Sequence, residues 1–140
     1  MRVVVLIKAS DESEKDILPS QETLEAMGRF NEELSDAGVI KGGEGLKSSM
    51  FGKRVVFDGP ERIVTDGPFD DVRHLIAGFW LWEVKDMDEA LSWARRCPNP
   101  MVGKSELEIR PLVEAEDFGD ALPEHVAKAE EKIRNRLEGN

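Results

Sequence analysis

The residues best suited to acid–base chemistry cluster in one short stretch of the chain. His74 is one of only two histidines, and an imidazole titrates near neutral pH. Asp66, Asp70 and Asp71 closely precede it. A carboxylate beside an imidazole orients the ring and favours its charged form. The stretch therefore predicts a catalytic group made of His74 with Asp66 and Asp71. The alternative is that the aspartates bond turn amides and that His74 is a half-exposed residue at the start of a strand.

Three further charged residues are candidates for binding a ligand. Arg73 and Arg110 could hold an anion through paired hydrogen bonds, or could balance neighbouring carboxylates. Glu44 is bordered by glycines and could project into a cleft, or could be a solvated loop carboxylate. These residues complete the predicted site.

Several common kinds of site lack their motifs here. His74 and His125 are far apart, and Cys97 has no partner at ligand spacing, so we expect neither a metal site nor a cofactor. No Gly-x-Ser-x-Gly elbow indicates a hydrolase, and no Gly-x-Gly-x-x-Gly turn follows the first strand as in dinucleotide-binding proteins.

Composition bounds the class of protein and its partners. The 140 residues are 40% hydrophobic and 34% charged, which is typical of one globular domain. A net charge of -10 argues against nucleic acid and acidic membranes as partners. Cys97 is the single cysteine, expected as a small buried residue rather than a reactive thiol. With no signal peptide or spanning segment, these features predict a cytoplasmic protein.

Hydrophobic periodicity predicts the elements that must position the candidate residues. β-Branched runs predict strands, apolar residues at steps of three and four predict helices, and two Asp-Gly-Pro turns predict a hairpin. In chain order we expect a strand at 2–8, a surface loop at 9–17, a helix at 20–37, a bulged strand at 39–46, a hairpin at 54–68, a long strand at 74–84, a helix at 86–96, a strand at 106–110 and a C-terminal helix from 122.

This order matches an α+β fold, the ferredoxin-like βαββαβ antiparallel sheet, with an inserted β-hairpin and an extra C-terminal helix. Both main helices would cover one face of the sheet. We assign Trp80 and Trp82 of the long strand to the other, bare face. Because an exposed apolar face is a liability, we expect a homodimer in which two sheets pair face to face.

The assembled sequence also resembles the YCII-related (DGPF-domain) family over residues 2–113. The motifs that carry the resemblance are Gly43-Glu44-Gly45-Leu46, Asp66-Gly67-Pro68-Phe69, Gly78-Phe79, Glu89-Ala90-Leu91-Ser92-Trp93-Ala94 and Glu108-Ile109-Arg110-Pro111. The resemblance implies a dimeric α+β barrel and little about activity. It also divides the chain into a domain at 1–113 and, at 114–140, an acidic connector with an amphipathic helix packed on that domain.

The chain departs from the family pattern after the Asp-Gly-Pro-Phe turn. Family members commonly place a carboxylate where His74 stands, whereas Asp71 and Arg73 keep the expected charge type. The resemblance also includes branches that are suggested to use a His-Asp pair, but at positions that do not match this chain, so that role is not transferred to His74.

Two classes of function follow from these features. One is a small-molecule cleft with cofactor-free acid–base chemistry by His74 and an aspartate. The other is a non-catalytic ligand-binding or regulatory module that uses the same cleft. A third class, a purely structural protein that only binds a partner, is possible but does not explain the charge cluster beside the turn.

Overall fold

Hydrogen-bonding and backbone geometry define the helices and strands of residues 1–139, which are the residues that the computed structural model describes. In chain order they are β1 (Arg2–Lys8), α1 (Asp11–Glu14), α2 (Gln21–Asp36), β2 (Ile40–Gly45), β3 (Lys53–Asp58), β4 (Glu61–Asp66), β5 (Ile76–Glu83), α3 (Met87–Arg96), β6 (Leu107–Pro111) and α4 (Glu124–Glu138).

Four of these strands form one antiparallel sheet in the order β2-β5-β1-β6. The β-branched strand β1 is central, and its Val5 lies opposite Trp80 of β5 on one side and Ile109 of β6 on the other. This is the ferredoxin-like strand order, so the predicted fold class is confirmed.

The two long helices begin at polar residues that satisfy their first free amides. In α2, Ser20 Oγ accepts a hydrogen bond from the Thr23 backbone nitrogen at 3.1 Å. In α3, Asp86 Oδ1 accepts from the Glu89 nitrogen at 2.9 Å, and the Glu89 carboxylate accepts from the Lys85 nitrogen at 2.6 Å. Both starts follow capping rules that the sequence displays.

A short helix replaces part of the surface loop expected at 9–17. Ser10 Oγ accepts from the Ser13 nitrogen at 3.1 Å, and Ser13 Oγ accepts from the Ser10 nitrogen at 2.9 Å. This reciprocal pair closes one helical turn, α1. The segment has no buried residue, so hydrophobic periodicity gave no sign of it.

The core lies between the sheet and the helices α2 and α3, and it corrects the assignment of the tryptophans. Trp80 and Trp82 are buried, and Phe30 of α2 meets their rings edge-on at centroid distances of 5.9 and 6.4 Å. Leu34 and Ala90 are buried in the same cluster. The two tryptophans thus lie beneath this chain's own helices, not on the bare face.

The opposite face of the sheet carries the other parity of each strand. Leu6 lies opposite Phe79, and Val4 lies opposite Leu81. These four side chains are half-buried, in contrast to the buried tryptophan side. An apolar face that packs on neither α2 nor α3 therefore exists, but it is the face that was expected to lie beneath these helices.

The inserted hairpin is separate from the main sheet. Strands β3 and β4 pair only with each other, from Lys53 opposite Asp66 to Asp58 opposite Glu61. Every residue of both strands is exposed. The predicted hairpin is confirmed.

The C-terminal segment is tied to the domain mainly through charge. Arg2 donates two hydrogen bonds to the carboxylate of Glu114, at 3.1 and 2.9 Å, and Arg134 of α4 lies 3.9 Å from that carboxylate. On the apolar stripe of α4, Val126 is half-buried whereas Leu137 is 73% exposed. The division of the chain at residue 113 stays a prediction.

Candidate functional site

A cleft of about 740 Å³ opens beside the end of the sheet where β2 ends and β5 begins. Its wall is formed by the α1 segment, the first half of α2, the end of β2, β5 and the loop at 100–102. The lining is largely apolar and includes Leu24, Met27, Phe79, Trp80 and Met101. A cavity of this size and composition is typical of a small-molecule site.

A partly buried hydrogen bond holds the floor of the cleft in place. The Trp80 indole nitrogen donates to Asn31 Oδ1 at 3.0 Å, and both residues line the cleft. Because the indole N–H is already bonded, the ring presents an apolar surface and the Asn31 amide nitrogen is oriented by the same contact. The pair thus contributes one nearly buried aromatic ring and one polar group to the lining.

The glycine cluster of β2 allows this floor to form. A Cβ atom on Gly43 would lie 2.8 Å from Trp80 Cδ1 and 2.9 Å from the Phe79 carbonyl oxygen. The strand is bulged between Ile40 and Gly42, and Glu44 lines the cleft beside Gly43. The expectation of a bulged strand bordering a cleft is therefore confirmed, and glycine is needed so that the backbone can approach the ring.

A network of hydrogen bonds joins the cleft wall to the Asp-Gly-Pro-Phe turn. The Ser49 hydroxyl donates to Glu14 and accepts from the Phe69 nitrogen at 2.9 Å. The Ser48 hydroxyl and nitrogen both donate to Asp16, at 2.9 and 3.2 Å. Asp16 itself lines the cleft. The turn thus positions the cleft wall through the serines without lining the cleft.

The predicted catalytic residues are only partly brought together. His74 Nε2 lies 3.7 Å from Asp71 Oδ2, and the His74 side chain is 74% exposed. Arg73 donates two hydrogen bonds to Asp71, at 2.9 and 3.0 Å, and lowers the pKa of that carboxyl to about 2. Asp66 pairs instead with Lys53 at 2.5 Å. Asp66 is therefore engaged at the base of the hairpin rather than with the histidine.

The predicted ligand-binding residues also separate. Arg110 pairs with Glu108 at 3.4 Å on the bare face of the sheet, and Arg73 is occupied by Asp71. Of the six predicted site residues, all within the described range, Glu44 lines the cleft. Sequence reasoning missed Asn31 and Asp16, because one is a polar residue inside an amphipathic helix and the other lies in a segment expected as a loop.

The Cys97 thiol is not activated, and residues 1–139 show neither a metal site nor a membrane-spanning helix. Burial raises the pKa of the Cys97 thiol to about 11, and its Sγ donates to the Pro98 carbonyl oxygen at 3.2 Å. Across residues 1–139, no three His, Cys, Asp or Glu side chains come together as a metal ion would require. In the same range, no helix is both long enough and apolar enough to cross a membrane.

Comparison with protein families supplies an independent observation. The model of the YCII-related domain matches residues 1–118. The chain belongs to the YCII-related family. Relatives of this YCII-related protein include an uncharacterised protein of Rhizobium meliloti (strain 1021), which is 40% identical over 52 residues. That match covers 37% of this chain and 42% of the relative, so the chain spans less than half of that protein's length.

A solved structure is also similar to this YCII-related protein. It is 5-chloro-2-hydroxyhydroquinone dehydrochlorinase (TftG) from Burkholderia phenoliruptrix AC1100, in complex with 2,5-dihydroxybenzoquinone. The similarity covers 83% of this chain and 97% of that one, with 15% identity and a TM-score of 0.49.

Proposed function

We propose that this protein binds a small, largely apolar molecule in the cleft beside Trp80. The observation that carries the proposal is the floor itself, where the nearly buried indole of Trp80 is hydrogen-bonded to the amide of Asn31 within a largely apolar lining. Sites for small molecules are usually apolar concavities with a few placed polar groups. A flat ring with one polar substituent is the kind of ligand that this floor fits.

Filling the cleft tests this proposal. Met27→Trp places a large side chain inside it, whereas Met50→Trp makes the same change at an exposed residue outside the lining. The probe is Nile red, a neutral apolar dye whose fluorescence rises in such sites. We expect Met27→Trp to weaken dye binding at least tenfold and Met50→Trp to leave it within twofold of the wild type. Equal binding by all three proteins would contradict the proposal.

A catalytic role remains a second candidate, and we propose it for His74 with Asp71. It is supported by the 3.7 Å approach of the two side chains and by Arg73, which keeps the Asp71 carboxylate charged. Because His74 and Asp71 lie outside the cleft lining, small molecules would be screened for turnover with the wild type and with His74→Gln whether or not they bind in the cleft. Loss of turnover with unchanged binding supports catalysis, whereas equal turnover assigns the cleft to a binding module.

We infer that two copies pair through the bare face of the sheet. The half-buried side chains Val4, Leu6, Phe79 and Leu81 support this assembly, because the helices cover the tryptophan side instead. Leu81→Glu puts a charge at the centre of that face, and we expect it to raise the dimer dissociation constant at least 100-fold in sedimentation experiments. Near-ultraviolet circular dichroism of the buried tryptophans checks that the variant is folded.

We also propose a cytoplasmic location, since the lone Cys97 and the absence of a disulfide in residues 1–139 fit a reducing compartment. Fractionation of cells expressing the full chain tests it, and recovery in a secreted fraction would contradict it.

A further inference from the structure

The hairpin of β3 and β4 carries apolar side chains on both of its faces. Val55 pairs with Val64 on one face, and Val56 pairs with Ile63 on the other. All four are exposed, as is Phe57 at 73%. A two-stranded ribbon with no packing on either face is marginally stable in water. A surface that covers at least one face would therefore stabilise it.

The base of the hairpin is fixed to the domain. The Gly67 nitrogen donates to the Gly52 carbonyl oxygen at 2.9 Å, just beyond the last pair of the ribbon. The Arg54 guanidinium stacks on the ring of Phe69 at 3.8 Å from its centroid. The ribbon is thus an ordered arm that is held away from the body of the molecule.

One face of this arm has charges that match a second copy of itself. From base to tip it presents Arg54, then the apolar pair Val56 and Ile63, then the carboxylates Asp58 and Glu61. A two-fold axis through the apolar pair would set the base of one arm against the tip of the other. Arg54 of each copy would then face Asp58 and Glu61 of its mate, as in an isologous interface.

We propose that this face packs on the same face of the arm in a second copy of the chain. The proposal rests on the homodimer proposed above but on different residues. A standard interface takes about 800 Å² from each partner, and the four apolar side chains on the sheet are already half-buried within their own chain. The exposed valine and isoleucine side chains of the arm add to it.

Two neighbouring residues test the apolar part of this contact. Ile63→Glu changes the proposed face, and Val64→Glu makes the same kind of change on the opposite face of the same strand. By sedimentation velocity, we expect Ile63→Glu to raise the dimer dissociation constant at least 100-fold and Val64→Glu to change it less than threefold. Equal effects of the two variants would overturn the proposal.

Charge reversal tests the orientation. We expect Arg54→Glu to weaken the dimer at least tenfold, and Asp58→Arg with Glu61→Arg to weaken it similarly. The variant that combines all three changes should bind more tightly than either charge reversal alone, because each pair of opposite charges is rebuilt with its signs exchanged, although the stack of Arg54 on Phe69 is not. Failure of the triple variant to recover would overturn the antiparallel contact.

The same sedimentation measurements distinguish the proposed arm contact from the proposed contact between sheet faces. A dimer that Leu81→Glu dissociates and Ile63→Glu leaves intact would overturn the arm contact while the sheet dimer stands. A wild-type chain that is monomeric at 100 µM would overturn both. Dissociation by Ile63→Glu, with the near-ultraviolet signal of the tryptophans unchanged, supports the arm.

Discussion

At the scale of single residues, the family turn acts by a very close approach of backbones. A Cβ atom on Gly67 would lie 1.7 Å from the Ser49 carbonyl oxygen and 3.2 Å from the Gly52 carbonyl oxygen. No side chain fits there, so glycine is required for packing rather than for a special backbone angle. The aspartates of this turn were predicted to be catalytic. In the structure, the backbone of the turn packs tightly against the segment that contains Ser48 and Ser49.

Gly67→Ala should therefore destabilise the fold strongly. Because backbone atoms would have to move, we expect a loss of about 3 kcal/mol or more in the free energy of unfolding. Gly45→Ala is the matched control, since a Cβ atom added there would have no neighbour within 4 Å. Urea unfolding measures the stability of both variants. Similar small losses in the free energy of unfolding would contradict a tight backbone contact at Gly67.

The pairing of Asp71 with Arg73 predicts a defined pH dependence. Hydrogen bonds from the Arg73 side chain lower the pKa of Asp71 from 3.8 to about 2. Because the folded pKa lies below the ordinary value, the stabilisation is present above about pH 4 and is lost as the pH falls towards 2. A carboxyl-carbon NMR titration should find this pKa, and Arg73→Gln should return it towards its ordinary value.

At the scale of elements, the sequence predicted the order and type of the strands and long helices but not which face of the sheet the helices cover. Both parities of β5 are apolar, so periodicity cannot distinguish them. Phe30 decides it, because its ring packs edge-on against both Trp80 and Trp82. That contact joins residues that are far apart in the chain, so local sequence patterns cannot predict it.

The candidate site was predicted less well, for a related physical reason. Local clustering led to His74 and the aspartates, yet neighbours in sequence bond to one another in an exposed turn. The cleft instead gathers α1, α2, β2 and β5 from distant parts of the chain. Glu44 lies in the lining of the cleft, which is one of the two positions that its glycine-bordered segment allowed, and its role in ligand binding stays a prediction.

The tie between α1 and the turn can be tested through Ser49. Ser49→Ala removes a donor to Glu14 and an acceptor for the Phe69 nitrogen. We expect a loss of about 1 to 2 kcal/mol in stability and faster hydrogen exchange in α1. The exposed Ser92 provides the control, because Ser92→Ala should change neither quantity measurably.

At the scale of the whole molecule, the unpartnered surfaces lie outside the helix-covered core. The bare sheet face and the arm carry apolar side chains that are not fully buried, whereas Trp82, Leu34, Val3 and Val5 are fully buried within one chain. We propose that association of two copies buries additional apolar side chains, whereas the core of each chain is formed without the partner.

Thermal unfolding tests this division. If two copies associate as proposed, the midpoint temperature of the wild type should rise with protein concentration by mass action. Differential scanning calorimetry between 5 and 500 µM, about two orders of magnitude, gives the shift. Ile63→Glu should lie below the wild type at high concentration and show a weaker dependence, whereas a wild type without any dependence would contradict association.

The half-buried thiol of Cys97 has a practical consequence. With its pKa raised to about 11, we expect it to stay protonated at neutral pH and to react slowly with maleimides. A new cysteine at the exposed tip of the arm would thus be the fast-reacting position for a spin label or dye. Distances between two labelled copies could then be measured without first replacing Cys97.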